Sequence, residues 1–170
     1  ELSESEVREA ADVRHALESA GVHRSDPQLR ELLIPRLADS IEEQARALAA
    51  GDFPAFATVA AGFHRTFVEL TANRVMLEIY DRLSDRQQLS IVRSAQRISA
   101  DPEQVLAEHR VLAEAAGRGD WGAFGEHLEQ HQARSHGLRV RIDAEVGHRA
   151  KVVAISSSGV GADCGLGSSQ

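Results

Sequence analysis

The sequence has little of what marks secreted, membrane or disulfide-rich proteins. It contains a single cysteine, Cys164, so no internal disulfide can form, which fits a reducing cytoplasm. No apolar run reaches the roughly 18 residues that a membrane-spanning helix needs, and no charged segment followed by an apolar one marks a secretory leader. We therefore expect a cytoplasmic protein.

Positive charge is also scarce. The 170 residues carry a formal net charge of −7, and the arginines are interleaved with aspartates and glutamates. A domain that grips duplex DNA usually presents a basic face that displaces counterions from phosphate. We therefore do not expect this chain to bind DNA by itself. Because it begins at Glu1 rather than at methionine, a DNA-binding module, if one exists, is expected to precede it.

Residues that favour helices, and residues that typically start or end them, dominate the sequence. Alanine and leucine are abundant, aromatics make up 4%, and no segment shows the sustained alternation of a strand. Capping aspartates followed by proline, and glycines at segment ends, predict six helices. Their predicted ranges are 5–20 ending at Gly21, 26–50, 52–72, 73–99, 101–117 ending at Gly117, and 120–146.

Short loops between these segments predict an all-α fold, an antiparallel helical bundle of about six helices. Residues 1–147 are expected to form one helical domain. The last stretch, 148–170, is rich in serine and glycine and is expected to be a flexible tail.

Three predicted helices each place one histidine at or near a buried face. His131 lies in the middle of the apolar stripe of the last helix, His109 occupies the same position in the helix before it, and His64 lies at the margin of the third helix's stripe. Imidazole is a common ligand of zinc, nickel and similar ions, and three of them would form an open metal site. The alternative is that each is a core histidine bonded to a backbone carbonyl. The predicted stripes are Trp121, Phe124, Leu128, His131, Ser135, Leu138 and Ile142; Val105, Leu106, His109, Leu112 and Ala116; and Phe56, Ala60, Phe63, Phe67 and Leu70.

The order of several short motifs resembles a known family. Gly62-Phe63-His64-Arg65, Glu108-His109-Arg110, Gly119-Asp120 and then His131 follow one another as in the C-terminal effector domain of the FadR-type branch of GntR transcription regulators. The stretch Asp12-Val13-Arg14-His15-Ala16-Leu17-Glu18 is similar to that domain's first helix. The resemblance covers roughly residues 5–145.

The resemblance implies an antiparallel bundle with a central cavity for a ligand and a metal. In many members of that family an aspartate and three histidines hold a divalent metal, and a small organic acid can bind beside it. The histidines correspond to His64, His109 and His131, with zinc or nickel as the expected metal. The aspartate position is Ala60 here, so metal affinity should be lower unless the effector completes the coordination. A metal-free member of the family is the alternative.

The expected ligand-binding residues are Arg14, Arg86, Gln87 and Ser90. The resemblance places Arg14 at the cavity, where its guanidinium could bind a carboxylate with two hydrogen bonds; the alternative is a surface ion pair with Glu18. On the fourth helix, the apolar face of Met76, Ile79 and Leu83 continues through Arg86, Gln87 and Ser90, as a pocket wall would. For Arg86 a solvated helix end is the alternative.

The expected function is ligand sensing by a GntR-type transcription regulator. A small carboxylate effector would change how two subunits of a homodimer present their attached winged helix-turn-helix modules to DNA. One alternative is a metal-dependent, hydrolase-like enzyme, since an open three-histidine site could activate water. No carboxylate base is expected on the histidine faces and no catalytic motif is present, so we expect no enzyme. A metal-free structural or dimerisation bundle is the other alternative.

Overall fold

The computed structural model describes residues 3–93, 98 and 101–136, and these residues contain helices and no strand. The predicted all-α fold is confirmed. The predicted tail and the predicted end of the last helix lie outside the described residues. The helices are α1 (Glu4–Arg24), α2 (Pro27–Ala49), α3 (Phe53–Glu69), α4 (Arg74–Arg93), α5 (Pro102–Arg118) and α6 (Trp121–His136).

Aspartate caps fix the starts of four helices. In α2, α3, α5 and α6 a side-chain oxygen of the residue before the helix accepts a backbone N–H of the first turn, at 2.7–3.1 Å. The first turns of α2, α3 and α5 also contain a proline, whose missing N–H costs nothing there. These caps confirm the predicted starts at Asp26, Asp52, Asp101 and Asp120.

Two predicted helix ends are wrong because the glycines there serve other purposes. Helix α1 runs through Gly21 to Arg24. A Cβ at Gly21 would lie 1.8 Å from the carbonyl oxygen of Phe67, so this glycine allows α1 and α3 to approach each other. Helix α5 runs through Gly117 and is terminated by Gly119, whose φ of 70° is the left-handed conformation that favours glycine.

The packing of the helices does not simply follow their order in the chain. Helix α2 packs against α3 and α5, α3 against α4, α5 against α6, and α1 against α3, α4 and α6. Short connections join α2 to α3, α3 to α4 and α5 to α6, so each of these pairs is antiparallel. The main core is built largely from leucines and phenylalanines that are less than a tenth exposed, including Leu37, Phe63, Phe67, Leu112, Phe124 and Leu128.

The structure largely confirms the buried faces that were predicted for the third and fifth helices. All five residues of the α3 stripe are buried, and so are Leu106, His109, Leu112 and Ala116 of α5. His64 is buried as well, rather than marginal, at 1% exposed.

The predicted faces of the fourth and sixth helices are partly wrong. Ile79 is 44% exposed, whereas Tyr80 beside it is fully buried. Tyr80 is drawn inward because its hydroxyl donates to the buried Glu18 carboxylate. Trp121 is 55% exposed at the start of α6, where its ring makes an edge contact with His23 instead of entering the core. Among the described helices, none has both the length and the apolar character needed to cross a bilayer.

Candidate metal and ligand site

The three histidines predicted from the buried stripes meet at one point. His64 comes from α3, His109 from α5 and His131 from α6, and each is at most 5% exposed. The Nε2 atoms of His64 and His109 lie 3.2 Å and 3.3 Å from Nε2 of His131. All three ring nitrogens fall within 4.8 Å of one another. This group can hold a metal ion.

Each histidine is oriented through its other ring nitrogen. The Nδ1 atoms face outward and each contacts a side-chain oxygen: His64 to Glu18 at 2.8 Å, His109 to Gln44 at 2.5 Å and His131 to Glu108 at 2.7 Å. An ionised carboxylate and an amide oxygen can only accept, so Nδ1 is the donor in each pair. A neutral imidazole that donates from Nδ1 has a lone pair at Nε2. Three lone pairs therefore face one another.

Glu18 belongs to a buried network that links α1, α3 and α4. Its Oε1 accepts hydrogen bonds from the Arg14 guanidinium at 2.9 Å and from the Tyr80 hydroxyl at 3.3 Å. The guanidinium also lies over the Tyr80 ring, 5.8 Å from its centre. Burial raises the pKa of Glu18, while the charge of Arg14 opposes that rise. The ion pair that the sequence suggested for Arg14 and Glu18 therefore exists, but it is buried rather than on the surface.

Glu108 connects the buried histidines to residues nearer the protein surface. Its Oε1 accepts from Arg134 Nε at 2.7 Å and from Gln104 Nε2 at 2.9 Å, while Oε2 serves His131. Burial would raise the pKa of Glu108, but the hydrogen bonds from His131 and Gln104 outweigh it, and the pKa falls. Glu108 is thus an ionised acceptor.

The electrostatics favour neutral imidazole at the centre of the cluster. Burial, followed by the charges of His131, His64 and Arg14, holds the pKa of His109 well below 6.5. A neutral ring is the form that binds a metal. Phe63 stacks on His109 with ring centres 4.6 Å apart and restricts its orientation further.

A small cavity of about 20 Å³ opens beside the three Nε2 atoms. That is room for about one water molecule. One wall is apolar and consists of Phe56, Ala60, Ile98 and Val105. Arg14, Gln132 and Ser135 supply polar groups, and Arg14 is the one lysine or arginine that lines this cavity among the described residues.

Of the expected ligand-binding residues, the structure brings Arg14 to the histidines. The side chains of Arg86, Gln87 and Ser90 lie outside the described part of the chain, although the backbone there is helical. His127 is half-buried beside Glu108, in a separate shallow pocket on the outer side of α5.

Sequence reasoning missed the acceptors that orient the histidines. The expectation that no carboxylate falls on the histidine faces is wrong, because Glu18 and Glu108 both contact them. The sequence held a signal for each: Glu18 lies four residues after Arg14, and Glu108 directly precedes His109. For Gln44 and Gln132 we find no comparable signal, since amides on a helix usually face water.

This fold and site define an all-helical domain with histidines around a small internal cavity. The family model of the FCD domain matches residues 9–134, which include the three histidines and the residues that orient them. The chain therefore belongs to the FCD family, the C-terminal effector-binding domain of GntR-type regulators, and the resemblance drawn from the sequence is confirmed. No curated protein sequence matches the chain.

Proposed function

We propose that this chain is the ligand-sensing domain of a FadR-type GntR regulator, and that its cavity binds a small organic acid beside a divalent transition metal held by His64, His109 and His131. FCD domains are ligand-sensing domains of regulators, which supports the general role. The metal and the acid are argued from the site itself.

The convergence of three imidazole Nε2 atoms carries the proposal. Zinc in a tetrahedral site lies about 2.0–2.1 Å from each nitrogen, which places the nitrogens about 3.3–3.4 Å apart. The separations of 3.2 Å and 3.3 Å match that spacing. A cation would be bound by all three.

The residues around the cluster are suited to hold such an ion. Outward hydrogen bonds from Nδ1 fix the orientation and tautomer of ligating histidines and raise their basicity. When bound, the metal would supply a Lewis-acidic centre for a carboxylate oxygen. Arg14 would hold the same carboxylate in place by hydrogen bonding, and Ala60 leaves space where the family has an aspartate.

Regulation would follow from a difference in affinity between two arrangements of the domain. A ligand that binds both arrangements equally shifts nothing. All six described helices contribute a residue to the histidine network, so a change at the cavity reaches every helix. In a homodimer, such a change would alter the position of attached winged helix-turn-helix modules relative to their DNA half-sites.

Elemental analysis tests the metal directly. The parent chain, purified without added metal or a histidine tag, is compared with a His109→Ala/His131→Ala double variant and with His127→Ala as a matched control on α6. We expect about one equivalent of zinc or nickel in the parent and in the control, and a loss of metal in the double variant.

Two results would contradict the metal site. One is a parent that takes up no zinc or nickel even after incubation with the salts, which would favour a metal-free bundle. The other is a double variant that retains the parent's metal content. Among the described residues that line the cavity there is no aspartate or glutamate to act as a base, and the site therefore does not favour a hydrolase.

A further inference from the structure

Two buried hydrogen-bond donors lack a partner at the cavity. The Nε atom of Arg14 and the Nε2 atom of Gln132 bond to nothing in the described part of the protein, although these residues are only 2% and 5% exposed. Both residues line the cavity next to the three histidines. Most buried polar groups in folded proteins are hydrogen-bonded, and one left unpaired destabilises the fold. Two such donors in one cavity indicate that it binds an acceptor.

The rest of the lining limits what that acceptor can be attached to. Phe56, Ile98 and Val105 offer no hydrogen bond to a second polar group, and the Ser135 hydroxyl is neutral. Arg14 is the one permanently charged cation there among the described residues, and Glu18 already shares its charge. A second carboxylate on the ligand would therefore be buried without a positively charged side chain of its own among the described lining residues.

We propose that Gln132 determines ligand specificity, and that Gln132 and Arg14 together bind the single carboxylate of a short monocarboxylic acid whose apolar end contacts Phe56, Ile98 and Val105. This inference rests on the proposed sensing function of the cavity and adds a residue and a substrate class to it. The cavity of about 20 Å³ holds about one water molecule, so it must widen to admit even the smallest acids, and acetate and propionate are therefore the probes.

Isothermal titration calorimetry on the full chain tests the proposal. Acetate and propionate are compared with malonate and succinate, on zinc-loaded protein and on protein treated with a chelator. Gln132→Met removes the donor at nearly constant size. Gln130→Met is the matched control, since Gln130 is exposed two residues away on the same helix. We expect the parent to prefer the monocarboxylates. Hydrogen bonds to charged groups contribute enough that Gln132→Met should weaken binding by about 10- to 100-fold, with no change in the control.

Thermal unfolding separates recognition from a structural role. The Nε2 atom of Gln132 is a buried donor without a partner, and replacing the amide by a methionine removes it, so Gln132→Met without ligand should melt at or above the parent's temperature. Gln132→Glu places an acceptor beside the ligand and should abolish binding of acetate. A lower melting temperature for Gln132→Met, with unchanged acetate affinity, would overturn the proposal, as would tighter binding of malonate than of propionate.

The metal content of each sample keeps this test apart from the proposed function. Metal in the parent with no binding of acetate or propionate, in either state of the protein, overturns this inference and leaves the metal site intact. Binding of acetate that depends on Gln132 in protein that takes up no metal supports this inference and overturns the metal site.

Discussion

The carboxylate of Glu108 accepts a hydrogen bond from Nδ1 of His131 at 2.7 Å, across the interface between α5 and α6. The next residue, His109, contributes its Nε2 to the same cluster. One short stretch of α5 therefore supplies both a candidate metal ligand and the group that orients another.

Replacing Glu108 by glutamine should weaken metal binding without removing a ligand. The amide can still accept from Nδ1, but the negative charge that raises the basicity of His131 is lost. We expect zinc affinity to fall by about 10- to 100-fold, measured by competition with a chromogenic chelator. Glu114→Gln, on the exposed side of α5, should bind zinc as the parent does. Equal affinities for the two variants would show that Glu108 has no such role.

Replacing Ala60 by the family's aspartate should make the stability of the fold depend on bound metal. Ala60 is 2% exposed and lies one turn before His64. A buried carboxylate without a partner destabilises by several kcal/mol, whereas one that binds a cation does not. We expect Ala60→Asp to melt well below the parent in chelator and to regain most of the difference with zinc. A deficit of the same size in both conditions would contradict this.

Gly21 and Gly62 should respond in opposite ways to alanine. A methyl group at Gly21 would collide with the backbone of Phe67, so Gly21→Ala should destabilise by about 3 kcal/mol or more. At Gly62, which is exposed within α3, a methyl group meets nothing within 4 Å. Gly62→Ala should therefore stabilise by about 0.5–1 kcal/mol, as urea unfolding would measure. Similar effects of the two substitutions would contradict the close packing of α1 on α3.

Metal-free protein should lose stability below neutral pH. The pKa of His109 lies well below 6.5 in the fold because the ring is buried, and unfolding returns it to its usual range. Below about pH 6.5 the unfolded state then binds more protons than the native state, so acid favours unfolding. This contribution is fully present above pH 6.5 and falls as the pH drops, by at most about 1.4 kcal/mol per pH unit.

Urea unfolding of chelator-treated protein between pH 5.5 and pH 8 checks this dependence. His109→Gln, which cannot titrate, should give a shallower slope than the parent. A slope of the same size in that variant would assign the pH dependence to other groups.

The sequence predicted what depends on local chemistry. Asp26 and Asp101 cap helices because a side-chain oxygen and a following proline suit a helix start wherever the helix packs. The stripes of α3 and α5 predicted the histidine cluster because residues at helical spacing share a face. These features need no knowledge of the neighbouring helix.

What the sequence did not predict depends on contacts between helices. Gly21 has the position of a helix end, but its role is set by the Phe67 carbonyl of another helix. Tyr80 rather than Ile79 is buried because Glu18 of α1 accepts its hydroxyl. Gln44 orients His109 across 65 positions of sequence, and no spacing rule connects residues that far apart.

The close approach of Gly21 to the backbone of Phe67 joins α1 to α3. Glu18 and His64 each lie one turn before that backbone contact and are hydrogen-bonded to each other, so these two helices form one connected unit. Helices α5 and α6 form a second unit, joined by Glu108 and His131. The histidine cluster lies on the seam between them. A molecule bound between the two units would therefore set the distance between α1 and α3 on one side and α5 and α6 on the other.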